Sequence, residues 1–147
     1  MDTSPRQEAA LEGKQGGRSA GLGGVLSLLR PHQWAKNVLV AVPLVTSHQF
    51  SSATAITTLV AAVSFSLAAS AGYVINDLAD REFDRRHPQK ARRPLASGLV
   101  SVGAAVALAA GLAIGGGALS VVLLPASFPW ALLLYVLLSL SYSAVFK

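Results

Sequence analysis

The sequence predicts an all-α membrane protein with four transmembrane helices, and composition and charge distribution are the main reasons. The chain is 52% hydrophobic and 13% charged, whereas an ordinary soluble domain has about 25% charged residues. Two stretches, residues 37–76 and 94–146, contain no Asp, Glu, Lys or Arg. Between them, residues 77–93 contain four acids and six bases. Long uncharged stretches separated by one charged segment are typical of a chain that crosses a lipid bilayer.

The same distribution excludes other classes of protein. The formal net charge is +5, but a basic nucleic-acid-binding domain spreads its bases over a solvated face, and most of this chain has no charge to spread. We therefore expect membrane lipid, and no nucleic acid, as a partner. The chain has no cysteine, which excludes disulfides and thiolate metal sites.

The N-terminal residues differ from the rest. Residues 1–24 are polar and Gly-rich, mix acids with bases, and lack the apolar stretch and small-residue cleavage site of a signal peptide. We predict a disordered cytoplasmic tail over 1–24 and a transmembrane domain over 25–147.

Four apolar segments are predicted to be helical, because backbone polar groups in lipid need internal partners. They are 31–47, 53–75, 101–124 and 130–146. A membrane span needs about 20 apolar residues, with a range of about 17–25. The second and third segments meet this easily and the fourth barely. The first, with a kink expected at Pro43, meets it only if Lys36 extends to the polar end.

Small residues recur every four positions on the second and third segments. The two sets are Ser64, Ala68 and Gly72, and Ala107, Gly111 and Gly115. Small residues at this spacing let helix backbones approach closely, although an alanine-rich sequence also produces the pattern by chance.

The positions of the bases predict the topology. All twelve Lys and Arg lie before or at the start of the first segment, between the second and third, or after the fourth. With four spans these places lie on one side, which the positive-inside rule assigns to the cytoplasm. We predict a multi-pass protein of the plasma (inner) membrane with a cytoplasmic N-terminus.

The charged segment has ordered acids. If the second helix continues, Asn76, Asp80 and Asp84 lie on one face, with Asp77 beside them. Carboxylates this close repel unless a cation lies between them, and oxygen-only ligands suit Mg²⁺, which binds a few carboxylates plus substrate phosphates. Bases follow immediately, so the segment suits a diphosphate. The alternative is a solvated loop whose bases only set topology, but that role needs no carboxylates.

These residues resemble those of a known family. NDLADREFD at 76–84 resembles the first aspartate-rich motif, N-D-x-x-D-x-x-x-D, of the UbiA superfamily of membrane prenyltransferases. RPHQWAKN at 30–37 and DRRHPQKARRPLASG at 84–98 look like the branch that contains decaprenyl-phosphate phosphoribosyltransferase. SYSAVFK at 141–147 resembles the end of the family's fourth helix. The resemblance implies a larger bundle in which two facing aspartate-rich motifs hold Mg²⁺ and a diphosphate.

The resemblance also implies a reaction and roles for individual residues. In this branch a phosphoribosyl group passes from phosphoribosyl pyrophosphate to a polyprenyl phosphate, and pyrophosphate leaves. The implied metal ligands are Asn76, Asp77, Asp80 and Asp84, of which Asp80 and Asp84 are also candidate catalytic residues that position the acceptor. The implied phosphate-binding residues are Lys36, Lys90, Arg92 and Arg93.

Two alternatives stay open. One is aromatic prenyl transfer from a polyprenyl diphosphate. The other is a non-catalytic membrane fragment, transporter half or scaffold, although a transporter more often has ionisable residues within its spans. The second aspartate-rich motif is not found, since 94–146 has no ionisable acid or base. We therefore expect a truncated N-terminal half, for which a second half-chain or a second copy is a candidate partner.

Overall fold

A computed structural model describes residues 22–48 and 50–145, and these residues form helices and no strands. Most of the predicted tail lies outside the described residues, and its last three residues begin the first helix, α1 (Leu22–Leu29). The last two residues of the SYSAVFK stretch also lie outside them. The all-helical prediction is confirmed for the described residues.

The first predicted span is divided into three short elements. They are α2 (Pro31–Trp34), a 3₁₀ segment (Ala35–Ala41) and α3 (Val42–Ser47). Pro43 lies in the first turn of α3, where its missing N–H is harmless. The chain therefore changes from 3₁₀ to α-helix near this proline, and a single kinked helix does not form.

The second and third predicted spans are the two long helices. They are α4 (Ser52–Ala79), which begins with a capping box formed by Ser51 and Thr54, and α6 (Val102–Leu123). Both are long and apolar enough to cross a membrane. The 28 residues of α4 extend about 42 Å, beyond a hydrocarbon core of about 30 Å. One end of α4 therefore reaches into the polar region.

The fourth predicted span is helical but short. Its described part, 130–145, lies in α7 (Ser127–Val145), whose apolar stretch Ser127–Ser143 is shorter than α4 and α6. Among the described residues, two helices are both long and apolar enough to span a membrane, so the prediction of four spans is not confirmed. Two short elements, α5 (Arg81–Arg86) and a 3₁₀ turn (Lys90–Arg92), connect α4 to α6.

Close packing joins α4 to α6. Ser64, which is fully buried, donates from Oγ to the carbonyl oxygen of Gly116 at 2.7 Å. A Cβ at Gly116 would lie 2.8 Å from the Ser64 carbonyl oxygen, so only glycine fits without movement. Ala68, one turn further along α4, is also buried.

The small-residue prediction is therefore right for Ser64 and Ala68 and wrong for Ala107 and Gly111. Gly72 and Gly115 are partly buried, and a Cβ at Gly115 would lie 3.8 Å from Leu67 of α4. The buried positions of α6 are Ala105, Ala109, Gly116 and Ser120. Ala107 and Gly111 are exposed. Because α6 is apolar on all sides, its sequence does not indicate which side packs.

A small core fixes the end of α4 against the loop that precedes α6. It contains Leu28, Val74, Leu95, Val100, Ala105 and Ala109. The loop turns at Gly98, whose φ of 76° lies in the left-handed region that glycine tolerates. This core holds the charged segment beside α4.

Candidate functional site

The charged segment 77–93, together with Arg30, forms a cluster that we call the charged junction. Its backbone remains nearly helical past the end of α4. The Asp80 N–H donates to the Asn76 carbonyl oxygen at 2.9 Å, and the Asp84 N–H donates to the Asp80 carbonyl oxygen at 2.8 Å. The predicted spacing of Asn76, Asp80 and Asp84 is therefore preserved across the break between α4 and α5.

Two acids of the charged junction are buried together. Asp77 is 5% exposed and Asp84 is 2% exposed. Both contact Nη1 of Arg93, at 3.4 Å from Asp77 Oδ1 and 2.7 Å from Asp84 Oδ2. Asn76 and Asp80 are only partly buried. The structure thus brings together the acids seven positions apart, whereas the sequence placed Asp77 beside the main stripe.

Arg30 is the second counter-ion, and sequence reasoning missed it. Its Nη2 lies 2.7 Å from Asp77 Oδ1, and its guanidinium lies over the Tyr73 ring, 5.4 Å from the centroid. Arg30 adopts a left-handed backbone with φ of 49°, which is unusual for a residue other than glycine. The only available signal was its place in the RPHQWAKN stretch.

Polar contacts with α4 hold the segment that carries Arg30. Trp34 donates from Nε1 to Ser70 Oγ at 3.0 Å, and Asn37 donates from Nδ2 to Ser66 Oγ at 2.8 Å. Ser70 Oγ in turn donates to the Leu29 carbonyl oxygen at 3.0 Å. These bonds position Arg30 against the end of α4 although the two are distant in sequence.

The bases divide into two groups by their contacts. Arg81 and Arg85 donate from Nε to the carbonyl oxygens of Leu95 and Ala96, at 3.4 and 3.1 Å, and Arg85 also pairs with Glu82 at 3.0 Å. These two arginines hold the loop that contains Leu95 and Ala96 against α5. The second group, the predicted phosphate ligands, differs in burial and in contacts with the acids.

Of those predicted ligands, Arg93 is bound to the two buried acids, and Lys90 is partly buried with Nζ 4.0 Å from Asp84 Oδ1. Lys36 and Arg92 are exposed and form no ion pair with the acids that the structure describes. Lys90 and Arg92 are the first and last residues of a 3₁₀ turn, and Arg93 follows it directly. Lys36 lies in the 3₁₀ segment after α2.

The buried acids fit part of a divalent-cation site. Asp84 Oδ1 is buried without a hydrogen-bond partner in the described structure. However, the described residues contain no group of three or more His, Cys, Asp or Glu placed to hold a metal ion. A cation here would need other oxygens as well, as Mg²⁺ does when it completes its coordination with water and substrate phosphates.

Positive charge lies beside these acids, as close carboxylates require, and the chain itself supplies it. Arg30 and Arg93 both contact Asp77, and Arg93 also contacts Asp84. Residues of the chain itself therefore neutralise the two buried acids.

Comparison with known proteins places this junction in a family. Decaprenyl-phosphate phosphoribosyltransferases of Corynebacterium glutamicum and Mycobacterium tuberculosis are each 46% identical to the chain, over 92 and 82 residues, which are 60% and 52% of the chain and 28% and 27% of those proteins. The 4-hydroxybenzoate octaprenyltransferase of Burkholderia mallei is 53% identical over 45 residues, 31% of the chain and 16% of that protein. The chain thus spans less than a third of the length of these curated relatives.

The match to a family as a whole is longer than the match to any of these three relatives. The sequence model of the UbiA prenyltransferase family matches residues 37–147. This range includes α4, α6, α7 and nearly all of the charged junction. The resemblance drawn from NDLADREFD is thereby confirmed. The chain belongs to the UbiA prenyltransferase family, whose members are integral membrane transferases.

Proposed function

We propose that the chain contributes the donor-binding motif of a transferase that moves a 5-phosphoribosyl group from phosphoribosyl pyrophosphate to a polyprenyl phosphate with Mg²⁺. The observation that carries the proposal is the buried Oδ1 of Asp84, which has no hydrogen-bond partner among the described residues and lies 4.0 Å from Lys90 Nζ. It lies beside a turn of bases at the polar end of a membrane-length helix. A carboxylate oxygen and nearby bases together suit a diphosphate and its cation.

The acids and the bases of the charged junction have different proposed roles. Asp77 and Asp84, with Asp80 and Asn76 on adjacent turns, would hold the cation, which when bound would stabilise the departing pyrophosphate oxygens. Lys90 and Arg92 would donate charge-assisted hydrogen bonds to phosphate oxygens, with Lys36 as a further donor from the neighbouring segment.

The chemistry makes few demands on a base. The bond from the anomeric carbon to pyrophosphate breaks, positive charge develops on the sugar, and an acceptor phosphate oxygen forms the new bond. The acceptor is already an anion, so Asp80 and Asp84 need only position it. Preorganised donors at the leaving oxygens then supply most of the stabilisation.

We propose phosphoribosyl pyrophosphate as the donor because the charged junction has more bases than a prenyl diphosphate needs. Phosphoribosyl pyrophosphate has one more phosphate than a prenyl diphosphate and needs another anion site. Arg92 is exposed and forms no ion pair with the described acids, so it is available for that phosphate. A charge-assisted hydrogen bond contributes about 1.5–3 kcal/mol, so Arg92→Ala should weaken donor binding about 10–100-fold.

The test of function is a chimera in which residues 25–147 replace the corresponding segment of the Corynebacterium glutamicum relative. Membranes that contain it receive Mg²⁺ and either labelled phosphoribosyl pyrophosphate or labelled prenyl diphosphate. We expect label to pass from the ribosyl donor to lipid, and Asp84→Asn to prevent this. Glu82→Gln, which alters an exposed acid of the same helix, is the matched control.

The alternatives predict other results. Transfer only from prenyl diphosphate to an aromatic acid would overturn the choice of donor in favour of aromatic prenyl transfer. Transfer from neither donor, while the intact relative is active and the chimera accumulates to the same level, would favour a non-catalytic role.

We also propose that the charged junction faces the cytoplasm, in a plasma-membrane protein with a cytoplasmic N-terminus. The support is the positive-inside rule applied to the bases of the junction. Because the chain has no native cysteine, Gln89→Cys and Ser127→Cys report opposite ends of α6. An impermeant thiol reagent applied to intact cells should label Ser127→Cys alone, and labelling of Gln89→Cys would reverse the topology.

A further inference from the structure

We propose that Arg93 is a built-in counter-ion that holds the cation position between Asp77 and Asp84 and exchanges with the divalent cation when the diphosphate binds. The inference rests on the proposed function in one respect, since it requires a cation at these two acids. It goes further by assigning a competing and coupling role to one arginine.

The first argument is geometric. One nitrogen, Nη1 of Arg93, lies 2.7 Å from Asp84 Oδ2 and 3.4 Å from Asp77 Oδ1. The position between the two carboxylates is therefore already filled by a positively charged group. A divalent cation held by the same two carboxylates would lie close to Arg93, and repulsion between the two positive charges would favour release of one when the other binds.

The second argument is electrostatic. Carboxylates buried as deeply as Asp77 and Asp84 need positive charge nearby. Asp77 keeps Arg30 at 2.7 Å when Arg93 leaves, but among the described residues Asp84 then retains only Lys90, at 4.0 Å. Departure of Arg93 without a replacement would leave Asp84 nearly uncompensated, so the exchange occurs only when another cation arrives.

The third argument concerns how Arg93 can move. Its backbone is held on both sides, since its N–H donates to the Lys90 carbonyl oxygen and its carbonyl oxygen accepts from the Ser97 N–H, each at 2.9 Å. Its side chain is 33% exposed, so the guanidinium can rotate away from the acids without a change in the loop. Once released, its planar fork of donors suits a diphosphate.

Exchange has a thermodynamic consequence. A diphosphate that binds Arg93 removes the competitor of the metal, and a metal that binds the acids frees Arg93 for the diphosphate. Each ligand should therefore raise the affinity of the other by the same factor. When no diphosphate is present, Arg93 should lower the affinity of the acids for the metal.

The test measures binding of Mn²⁺, as a paramagnetic probe, to the purified 147-residue chain in detergent, with and without inorganic pyrophosphate. Without pyrophosphate, Arg93→Gln should bind Mn²⁺ about 10–100-fold more tightly than the parent, because one charge-assisted contact no longer competes. Pyrophosphate should then increase Mn²⁺ affinity less in Arg93→Gln than in the parent. Arg86→Gln, which removes the same charge from an exposed position of α5, should leave the Mn²⁺ affinity without pyrophosphate nearly unchanged.

Arg93→Lys is a second variant that retains the charge near the buried acids. A lysine ammonium reaches one carboxylate more readily than two, so this variant should bind Mn²⁺ more tightly than the parent by a smaller factor. Thermal unfolding provides an independent measurement, since Mn²⁺ should raise the unfolding temperature of Arg93→Gln more than that of the parent.

The outcomes separate the two proposals. If the parent, Arg93→Gln and Arg93→Lys bind Mn²⁺ equally well, the exchange is overturned and the cation site stands. If all three are folded and none binds Mn²⁺ with or without pyrophosphate, the cation site itself is overturned, and with it the exchange.

Discussion

The charged junction and the α4–α6 interface share one helix but are held together in different ways. The interface depends on shape, since Ser64 and Gly116 allow two backbones to meet. The charged junction depends on charge brought from far along the chain, since Arg30 lies 47 positions from Asp77. The embedded part of the molecule is therefore sensitive to volume, and its polar end is sensitive to charge.

The largest expected effect breaks the charged junction. Asp84→Asn should lower divalent-cation affinity in the presence of pyrophosphate by at least about 100-fold, because even residues outside the metal's direct ligands alter affinity about 10–100-fold. Equilibrium dialysis of labelled pyrophosphate with Mn²⁺ measures this. Asp80→Asn should act in the same direction.

The control for this prediction is Glu82→Gln, an exposed acid of α5 that pairs with Arg81 and Arg85. It should retain the affinity of the parent. Affinity equal to the parent in Asp84→Asn would remove that residue from the ligand set. Asp84→Asn should also destabilise the metal-free chain, because Arg93 loses its closest counter-charge, at 2.7 Å.

The second prediction tests the long-range part of the charged junction. Arg30→Gln removes the 2.7 Å ion pair with Asp77 and the contact with Tyr73. We expect a loss of about 1.5–3 kcal/mol in the free energy of unfolding, measured by titration with SDS in detergent micelles. Lys36→Gln removes an exposed base of the same segment and should have little effect. Equal stabilities of Arg30→Gln and the parent would show that Arg93 alone neutralises Asp77 sufficiently.

The third prediction moves to the interface. Gly116→Ala places a Cβ 2.8 Å from the Ser64 carbonyl oxygen, and a backbone atom cannot move aside as a flexible side chain can. The same titration should show destabilisation by about 1–3 kcal/mol, as for other overpacked sites. Gly111→Ala, where the added Cβ meets nothing within 4 Å, should be neutral or stabilising. The reverse order would restore the face of α6 that the sequence predicted.

The two regions also differ in how far the sequence predicts them. Uncharged length predicted α4 and α6, because a helix is the only solution for such a segment in lipid. It did not predict that 31–47 would divide, since the 3₁₀ segment depends on contacts such as Asn37 with Ser66. The sequence also did not indicate which side of α6 packs against α4, because the residues of α6 are apolar around its whole circumference.

In the charged junction, local spacing was predictable and long-range pairing was not. The helical repeat placed Asp80 and Asp84 on adjacent turns, and backbone hydrogen bonds preserve that arrangement. Nothing in the spacing indicated that Arg93 would fold back between Asp77 and Asp84, because a turn between Lys90 and Arg92 sets its direction. Pairing across a turn depends on tertiary structure, which a helical repeat does not encode.

The smallest expected effect separates a hydrogen bond between helices from one within a helix. Ser64 and Ser120 are both fully buried, and each donates to a carbonyl oxygen of α6, but Ser64 reaches Gly116 from α4 whereas Ser120 reaches Gly117 three residues earlier in its own helix. Ser64→Ala should destabilise the chain by about 0.6 kcal/mol, the average for such bonds between membrane helices. Ser120→Ala should cost less, because the lost bond does not join two elements. Titration with SDS compares the two variants, and an equal loss would mean that close backbone packing at Gly116, without help from the hydroxyl of Ser64, holds α4 against α6.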